Sequence, residues 1–174
     1  GRVVVVDPRQ TETGKAYEHV FVRPDTDAWL LLSMLHVIFA EGLADEAALN
    51  QQSVGSDAWR SAAAKFAPEE TAAITGVPAD VVRTLARDFA TAPSATAYGR
   101  TGSCLGRHAT LVGALIDILA IVTGNLDKPG GTLFSRGVIP FEDLAEKSGL
   151  VTYGVERSRV GDFADVLGTF PAVI

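Results

Sequence analysis

The sequence predicts an α/β domain that is rich in helices, has few parallel strands and ends in an extended C-terminal arm. Residues 3–6 are four valines in a row, and such a continuous β-branched run is typical of a strand buried on both faces of a parallel sheet. From residue 27 to residue 122 the apolar residues recur mostly every three or four positions, which is the period of a helix. After residue 131 this period is lost, which favours an extended arm.

Two short strands are predicted at the start of the chain. The first, residues 3–6, is ended by Pro8. Residues 11–17 are mostly polar and predict a loop, and residues 19–22 predict a second strand that stops at Arg23-Pro24. The local order is therefore strand, loop, strand and turn.

Five helices are predicted in the next part of the chain. The first, residues 27–41, is apolar nearly all round, so it should be covered on most sides, and Gly42 is its expected stop. Shorter helical pieces follow at residues 45–51, 57–66 and 68–75. Pro78 then opens a helix with one apolar face, which ends before Pro93.

The last predicted unit consists of a strand at residues 94–98, a glycine-rich loop at 99–106 and a helix at 108–122. This order allows backbone N–H groups and a helix N-terminus to approach a phosphate. The unit does not identify a ligand by itself. The strands are also too few for a free-standing doubly wound sheet, which suggests a domain cut open.

The chain is predicted to divide near residue 131. Residues 1–131 form a domain whose N-terminal half is missing, and residues 132–174 form an extended arm or the start of the next segment, with one helix at 141–147. An interrupted sheet leaves an unpaired strand edge and uncovered apolar surface. We therefore expect the chain to form homo-oligomers through that edge or through the arm.

Composition and charge argue against several classes of function. The 21 acidic and 15 basic residues give a net charge of -6, which argues against binding to DNA or RNA. A single cysteine, Cys104, cannot form an intramolecular disulfide or a thiolate-only metal site, and the three histidines show no ligand spacing. No apolar run reaches the ~18 residues that would predict insertion into a membrane. Without a signal peptide at the start, cytoplasm is the default compartment, although a longer parent protein could be exported.

One stretch carries a specific resemblance. Asp7-Pro8-Arg9, followed by Gln10 and Thr11-Glu12-Thr13, is similar to a signature of the molybdopterin oxidoreductases, which include formate dehydrogenases, nitrate reductases and dimethyl sulfoxide reductase. The resemblance continues in order through residues 23–27, 74–78, 98–99, 123–126 and 129–131. Asp25 departs from the pattern, because glycine is usual between Pro24 and Thr26.

The resemblance implies a partial Rossmann-like three-layer domain that holds the guanosine end of a molybdopterin guanine dinucleotide. In the parent enzyme, which would be formate dehydrogenase-like, the molybdenum or tungsten of this cofactor would exchange two electrons with a small substrate. An iron-sulfur cluster and the protein ligand of the metal would lie outside this chain. The partners of this chain would then be the remaining domains of the parent enzyme. The isolated chain would be inactive, and the resemblance does not determine whether it retains the cofactor.

Carry-over from the family assigns the guanosine contacts to two stretches: Asp7, Pro8, Arg9, Gln10 and Thr11, and then Asp25, Thr26 and Asp27. A carboxylate can accept two hydrogen bonds from guanine, and Asp27 is our choice for that role. Arg100 and Cys104 would lie in the loop that lines the cofactor. No catalytic residue and no metal ligand is predicted within the chain.

Each of these residues also has an ordinary structural interpretation. Asp7 could begin a turn, Asp27 could cap a helix, and Arg9 could be a solvated charge or an ion-pair partner. Cys104 could be an inert small residue in a mobile glycine-rich loop that also holds Arg100.

Two other functions compete with this hypothesis. A stand-alone binding or assembly module could have kept the fold without the cofactor, as the aspartate at position 25 suggests. A nicotinamide-binding domain is disfavoured, because no G-x-G-x-x-G follows the first strand.

Overall fold

The computed structural model describes residues 1–133, so the predicted arm from residue 134 onward and its helix at 141–147 lie outside the described residues. Eight helices and two strands follow one another in this part of the chain. They are β1 (Val4–Val6), α1 (Glu12–Ala16), β2 (Glu18–Val20), α2 (Asp27–Ala40), α3 (Glu46–Gln52), α4 (Ser56–Ala63), α5 (Pro68–Thr75), α6 (Ala79–Thr91), α7 (Thr101–Cys104) and α8 (Ala109–Val122).

The two strands form a parallel pair. Val5 lies opposite His19, and the pairing is extended by the N–H of Asp7, which donates to the carbonyl of Val20 at 3.2 Å. Within the described residues each strand has one neighbour only. Val6 of β1 exposes 39% of its surface and Val3, just before it, exposes 44%, so within the described residues the prediction of a strand buried on both faces is wrong.

Helix α1 replaces the loop that the sequence predicts for residues 11–17. The hydroxyl of Thr11 accepts a hydrogen bond from the N–H of Gly14 at 3.1 Å, which caps the first turn. Lys15 pairs with Glu12 one turn apart. Since the helix has five residues and one buried position, Gly14, no apolar period marks it in the sequence.

Helix α2 lies at the centre of the core and packs against α4, α5, α6 and α8. The prediction that it is covered on most sides is confirmed, because it contributes buried residues from several faces. These include Leu30, Leu32, Leu35, Val37 and Ile38. Leu115 and Leu119 of α8 and Trp59 of α4 are buried in the same apolar cluster.

The predicted helix stops are confirmed at two glycines. Gly42 follows α2 with φ 67°, and Gly76 ends α5 with φ 75° and donates its N–H to the carbonyl of Ala72. This left-handed conformation suits glycine because it has no Cβ. The order of the predicted helices between residues 27 and 122 is also confirmed, with an additional short helix, α7, in the glycine-rich loop.

The strand predicted at residues 94–98 is not a strand in the structure. Residues 95–100 alternate between half-buried and exposed, as a strand would, but no described strand lies beside them. The N–H of Ala95 donates instead to Oδ1 of Asn125 at 3.0 Å. The sequence period is therefore present without the neighbouring strand that would complete a ladder.

Candidate functional site

Three aspartates gather where the two parallel strands end. Asp7 directly follows β1, and Asp25 and Asp27 lie in the segment that joins β2 to α2. Repulsion from both Asp25 and Asp7 contributes to raising the pKa of the Asp27 carboxyl, because the three carboxylates lie close enough for their charges to interact. We call Asp7, Asp25 and Asp27 the aspartate cluster.

Asp27 is the first residue of α2 and is partly buried. Burial is the main cause that raises the pKa of its carboxyl, and its own backbone N–H opposes this by stabilising the charged form. Among the described residues no other group donates a hydrogen bond to this carboxylate. The helix cap is Thr26, whose hydroxyl donates to the carbonyl of Arg23 at 2.7 Å, so Asp27 is not the N-cap.

Asp7 begins a turn with one carboxylate oxygen, and its other oxygen accepts no hydrogen bond from the described residues. Its Oδ1 accepts a hydrogen bond from the N–H of Arg9 at 2.7 Å, so the simple interpretation as a turn residue describes one of its two oxygens. Pro8, Arg9 and Gln10 are exposed. Within the described residues the Arg9 guanidinium has no ion-pair partner, whereas the hydroxyl of Thr11 is occupied as an acceptor by the cap of α1.

Asp25 differs from its two neighbours because both of its oxygens are engaged. Oδ1 accepts from the backbone N–H of Arg107 at 2.9 Å, and Oδ2 accepts from Nε of Arg107 at 3.2 Å. A Cβ at position 106 would collide with Oδ1, so Gly106 leaves the room for this contact. Neither Gly106 nor Arg107 is predicted as a site residue from the sequence, since Arg107 lies 82 positions away from Asp25.

Arg100 and Cys104 lie with a different group of residues. The guanidinium of Arg100 donates to the hydroxyl of Tyr98 at 2.8 Å and lies 5.9 Å from the centre of the same ring. Cys104 is exposed and lines an open pocket of about 280 Å³ together with Tyr98, Ile116 and Asp117. None of the aspartate cluster lines this pocket, so the structure does not bring all predicted site residues together.

The open pocket contains one ionisable carboxyl. Burial raises the pKa of the Asp117 carboxyl, which lies on the otherwise apolar helix α8.

In the described part of the chain no group of three histidine, cysteine, aspartate or glutamate side chains is arranged to hold a metal ion. Within residues 1–133 no helix has the length and apolar character to cross a membrane.

Comparison with known families gives one match that spans nearly the whole chain. The family model described as molybdopterin oxidoreductase matches residues 1–164. Formate dehydrogenase H of Escherichia coli is 33% identical over 129 residues, which cover 74% of this chain and 18% of that protein. The dimethyl sulfoxide reductase DmsA of the same species is 31% identical over 156 residues, which cover 78% of this chain and 19% of that protein.

The structural comparison points the same way. Acetylene hydratase from Pelobacter acetylenicus matches with a TM-score of 0.68 and 27% identity, over 71% of this chain and 17% of that one. The chain therefore spans about a fifth of the length of the relatives that it matches.

Proposed function

Because the chain belongs to the molybdopterin oxidoreductase family, we propose that its described domain holds the guanosine end of a molybdopterin guanine dinucleotide. Its relatives are named for different compounds, namely formate, dimethyl sulfoxide and acetylene. A segment shared by proteins with such different names suits a common cofactor better than a particular substrate. The parent enzyme would be formate dehydrogenase-like, with this segment as its cofactor-binding part.

The single observation that carries the proposal is the partly buried carboxylate of Asp27, to which no other described residue donates a hydrogen bond. Its carboxylate is an acceptor in a partly desolvated place, with no donor from the described residues apart from its own N–H. The N1–H and N2–H groups of guanine are adjacent donors that match the two oxygens of a carboxylate, whereas adenine does not offer this pair. The chemistry of Asp27 therefore fits guanine.

Two neighbouring groups fit the remaining parts of a nucleotide. The second oxygen of Asp7 lies at the carboxyl end of β1, where α/β sheets place their ligands, and it would accept from ribose hydroxyls. The exposed guanidinium of Arg9 would pair with the diphosphate. When bound, the cofactor supplies the molybdenum or tungsten centre at which two electrons are exchanged with the substrate, while the residues of this chain bind and orient its nucleotide end.

The rest of the parent enzyme would complete the domain. The free edge of β1 and the strand-like residues 95–100 both lack a neighbour within the described residues, which is what a Rossmann-like sheet continued by other segments would leave. The metal ligand and an iron-sulfur cluster would belong to those segments. On its own the chain would be inactive and would associate with itself through these edges. The family match does not favour a stand-alone module without cofactor.

Nucleotide titration tests the proposal directly. Calorimetry with GMP, IMP and AMP separates the contributions of the guanine donors, because IMP lacks the N2 amino group and AMP lacks both donors. We expect GMP to bind most tightly, and Asp27→Ala to weaken GMP binding by roughly 10- to 100-fold, the loss typical of hydrogen bonds to a charged group.

Asp57→Ala is the matched control, since Asp57 is an exposed aspartate in the first turn of α4. This variant should bind GMP as the unmodified chain does. Equal binding of GMP and AMP, no binding of GMP, or indifference of GMP affinity to Asp27→Ala would refute guanosine recognition.

A further inference from the structure

We propose that Asp25 is a positioning residue, whose carboxylate holds the turn of residues 105–108 beside the guanosine site without contacting the nucleotide itself. The inference rests on the proposed function, because it assigns the aspartates of one cluster to different tasks. Asp27 would bind the base, and Asp25 would hold the polypeptide next to it.

The backbone of Asp25 adopts an uncommon conformation for a residue other than glycine. Its φ is 64°, in the left-handed region that favours glycine and is unfavourable for most other residues. Aspartate tolerates this conformation better than most residues, and here the conformation directs the carboxylate toward Arg107.

The partner turn is shaped to receive the carboxylate. The N–H of Arg107 and its Nε donate to different oxygens of Asp25, and the absence of a side chain at Gly106 leaves space for Oδ1. A second contact joins the same two segments, since the rings of Trp29 and His108 lie edge to face with centres 5.2 Å apart. The start of α2 is thus fastened to the turn that precedes α8.

The backbone donor is the important half of this contact. The Arg107 side chain is 83% exposed, so its ion pair with Asp25 contributes little. The N–H of Arg107 has a direction fixed by the backbone, so its bond to Oδ1 sets the position of the turn relative to Asp25 more closely than the flexible side chain does. Both oxygens of Asp25 are directed to Arg107, whereas no other described residue donates to the carboxylate of Asp27.

Hydrogen exchange of the Arg107 amide tests, without any ligand, whether Asp25 holds this turn in place. Asp25→Gly keeps the backbone conformation and removes the carboxylate, so we expect the Arg107 amide to exchange about tenfold faster. Asp25→Asn keeps one oxygen acceptor and tolerates the left-handed conformation, so it should restore most of the protection. Unchanged exchange in Asp25→Gly, or no rescue by Asp25→Asn, would overturn the positioning role.

The ratio of GMP to IMP affinity tests whether Asp25 contacts the base. Asp25→Gly should weaken both nucleotides by the same factor and leave their ratio unchanged, whereas Asp27→Ala should abolish the preference for GMP. A change of this ratio in Asp25→Gly would show direct contact with the base and overturn the proposal.

Gly106→Ala approaches the same contact from the other side, because its Cβ would displace the Asp25 carboxylate. The double variant with Asp25→Gly and Gly106→Ala should bind GMP as tightly as Asp25→Gly alone. If the two substitutions instead weaken GMP binding independently, they do not act on the same contact. If the unmodified chain binds no guanine nucleotide, the proposed function fails. The exchange measurement on Arg107 then still confirms or refutes, by itself, that Asp25 holds the turn of residues 105–108.

Discussion

Buried polar groups in the helical core are treated differently from the carboxylates of the aspartate cluster. In the core the hydroxyl of Thr71 donates to that of Ser33 at 3.0 Å, and the hydroxyl of Thr75 donates to the carbonyl of Thr71 at 3.0 Å. Asn125 is 1% exposed and bonds both to Ala95 and to Thr123. In the cluster, Asp27 has only its own N–H as a donor among the described residues.

The difference separates stability from binding. Polar groups that are paired within the chain stabilise the fold, whereas a partly buried carboxylate without a counter-charge is unfavourable until a ligand supplies donors. The indole Nε1 of Trp59 is an exception in the core, because it is buried and has no hydrogen-bond partner in the described part of the chain. Substitutions that remove polar or apolar contacts in the core should therefore lower the free energy of unfolding, whereas neutralising Asp27 should raise it.

The largest effect is expected in the apolar core. Leu35 is fully buried at the centre of α2, so Leu35→Ala should lower the free energy of unfolding by about 2 to 5 kcal/mol through lost burial and a cavity. Urea denaturation measures this change. Val54→Ala is the control, since Val54 is 63% exposed and its truncation should be nearly neutral. A loss in Leu35→Ala no larger than the control would contradict the central position of α2.

A smaller loss is expected from Asn125→Ala. The substitution removes the acceptor for the Ala95 N–H and the two donor contacts to Thr123, so the free energy of unfolding should fall by about 1 to 3 kcal/mol. Asn125→Asp keeps an acceptor for Ala95 but buries a carboxylate facing the Thr123 carbonyl, so at pH 7 it should lose at least as much as Asn125→Ala. At pH 3, where the carboxyl is protonated and both donates and accepts, it should be more stable than Asn125→Ala. If denaturation shows no loss in Asn125→Ala, the bond to Ala95 does not hold residues 95–100 in place.

Arg60 tests a contact at the edge of the core. Its guanidinium bonds both oxygens of Glu46 and lies 4.7 Å from the centre of the Phe39 ring, which joins α4 to α3 and α2. Arg60→Ala should lower the free energy of unfolding by about 1 kcal/mol, since partly exposed pairs contribute little. Arg60→Lys keeps the charge and should recover only part of this loss. Full recovery would show that the planar contacts add nothing to stability.

The smallest effect, and the one of opposite sign, is expected from Asp27→Asn. The folded chain raises the pKa of Asp27, so it binds this proton more tightly than the unfolded chain does. Stability therefore falls as the pH rises from the usual aspartate pKa through the raised one, and it stays lower above it. Asp27→Asn lacks this loss and should gain less than about 1 kcal/mol at pH 7, because the group is only partly buried.

Thermal unfolding between pH 3 and pH 8 measures that gain, with Asp57→Asn as the control at an exposed first-turn aspartate. The advantage of Asp27→Asn should grow with pH and then level off. A variant that is less stable than the unmodified chain at pH 7 would show that Asp27 has a partner within the chain, and the contrast between core and cluster would fail.

The sequence by itself determined the family and the main helices. The stretch from Asp7 to Thr13 indicated the molybdopterin oxidoreductases, which the family match confirms. The apolar period and the end signals at Gly42, Gly76 and Pro78 located α2, α5 and α6, because such signals act within one or two turns of the chain.

Tertiary structure alone decided the rest. Residues 94–98 have the period of a strand, yet a strand exists only where a neighbour pairs with it, and none is present in the described part of the chain. The sequence predicts Asp25 as a cofactor contact but does not predict its bonds to Arg107, 82 positions away. Local patterns are set by neighbours in the sequence, whereas the direction of a side chain and the pairing of a strand depend on which distant segment the packing brings beside them.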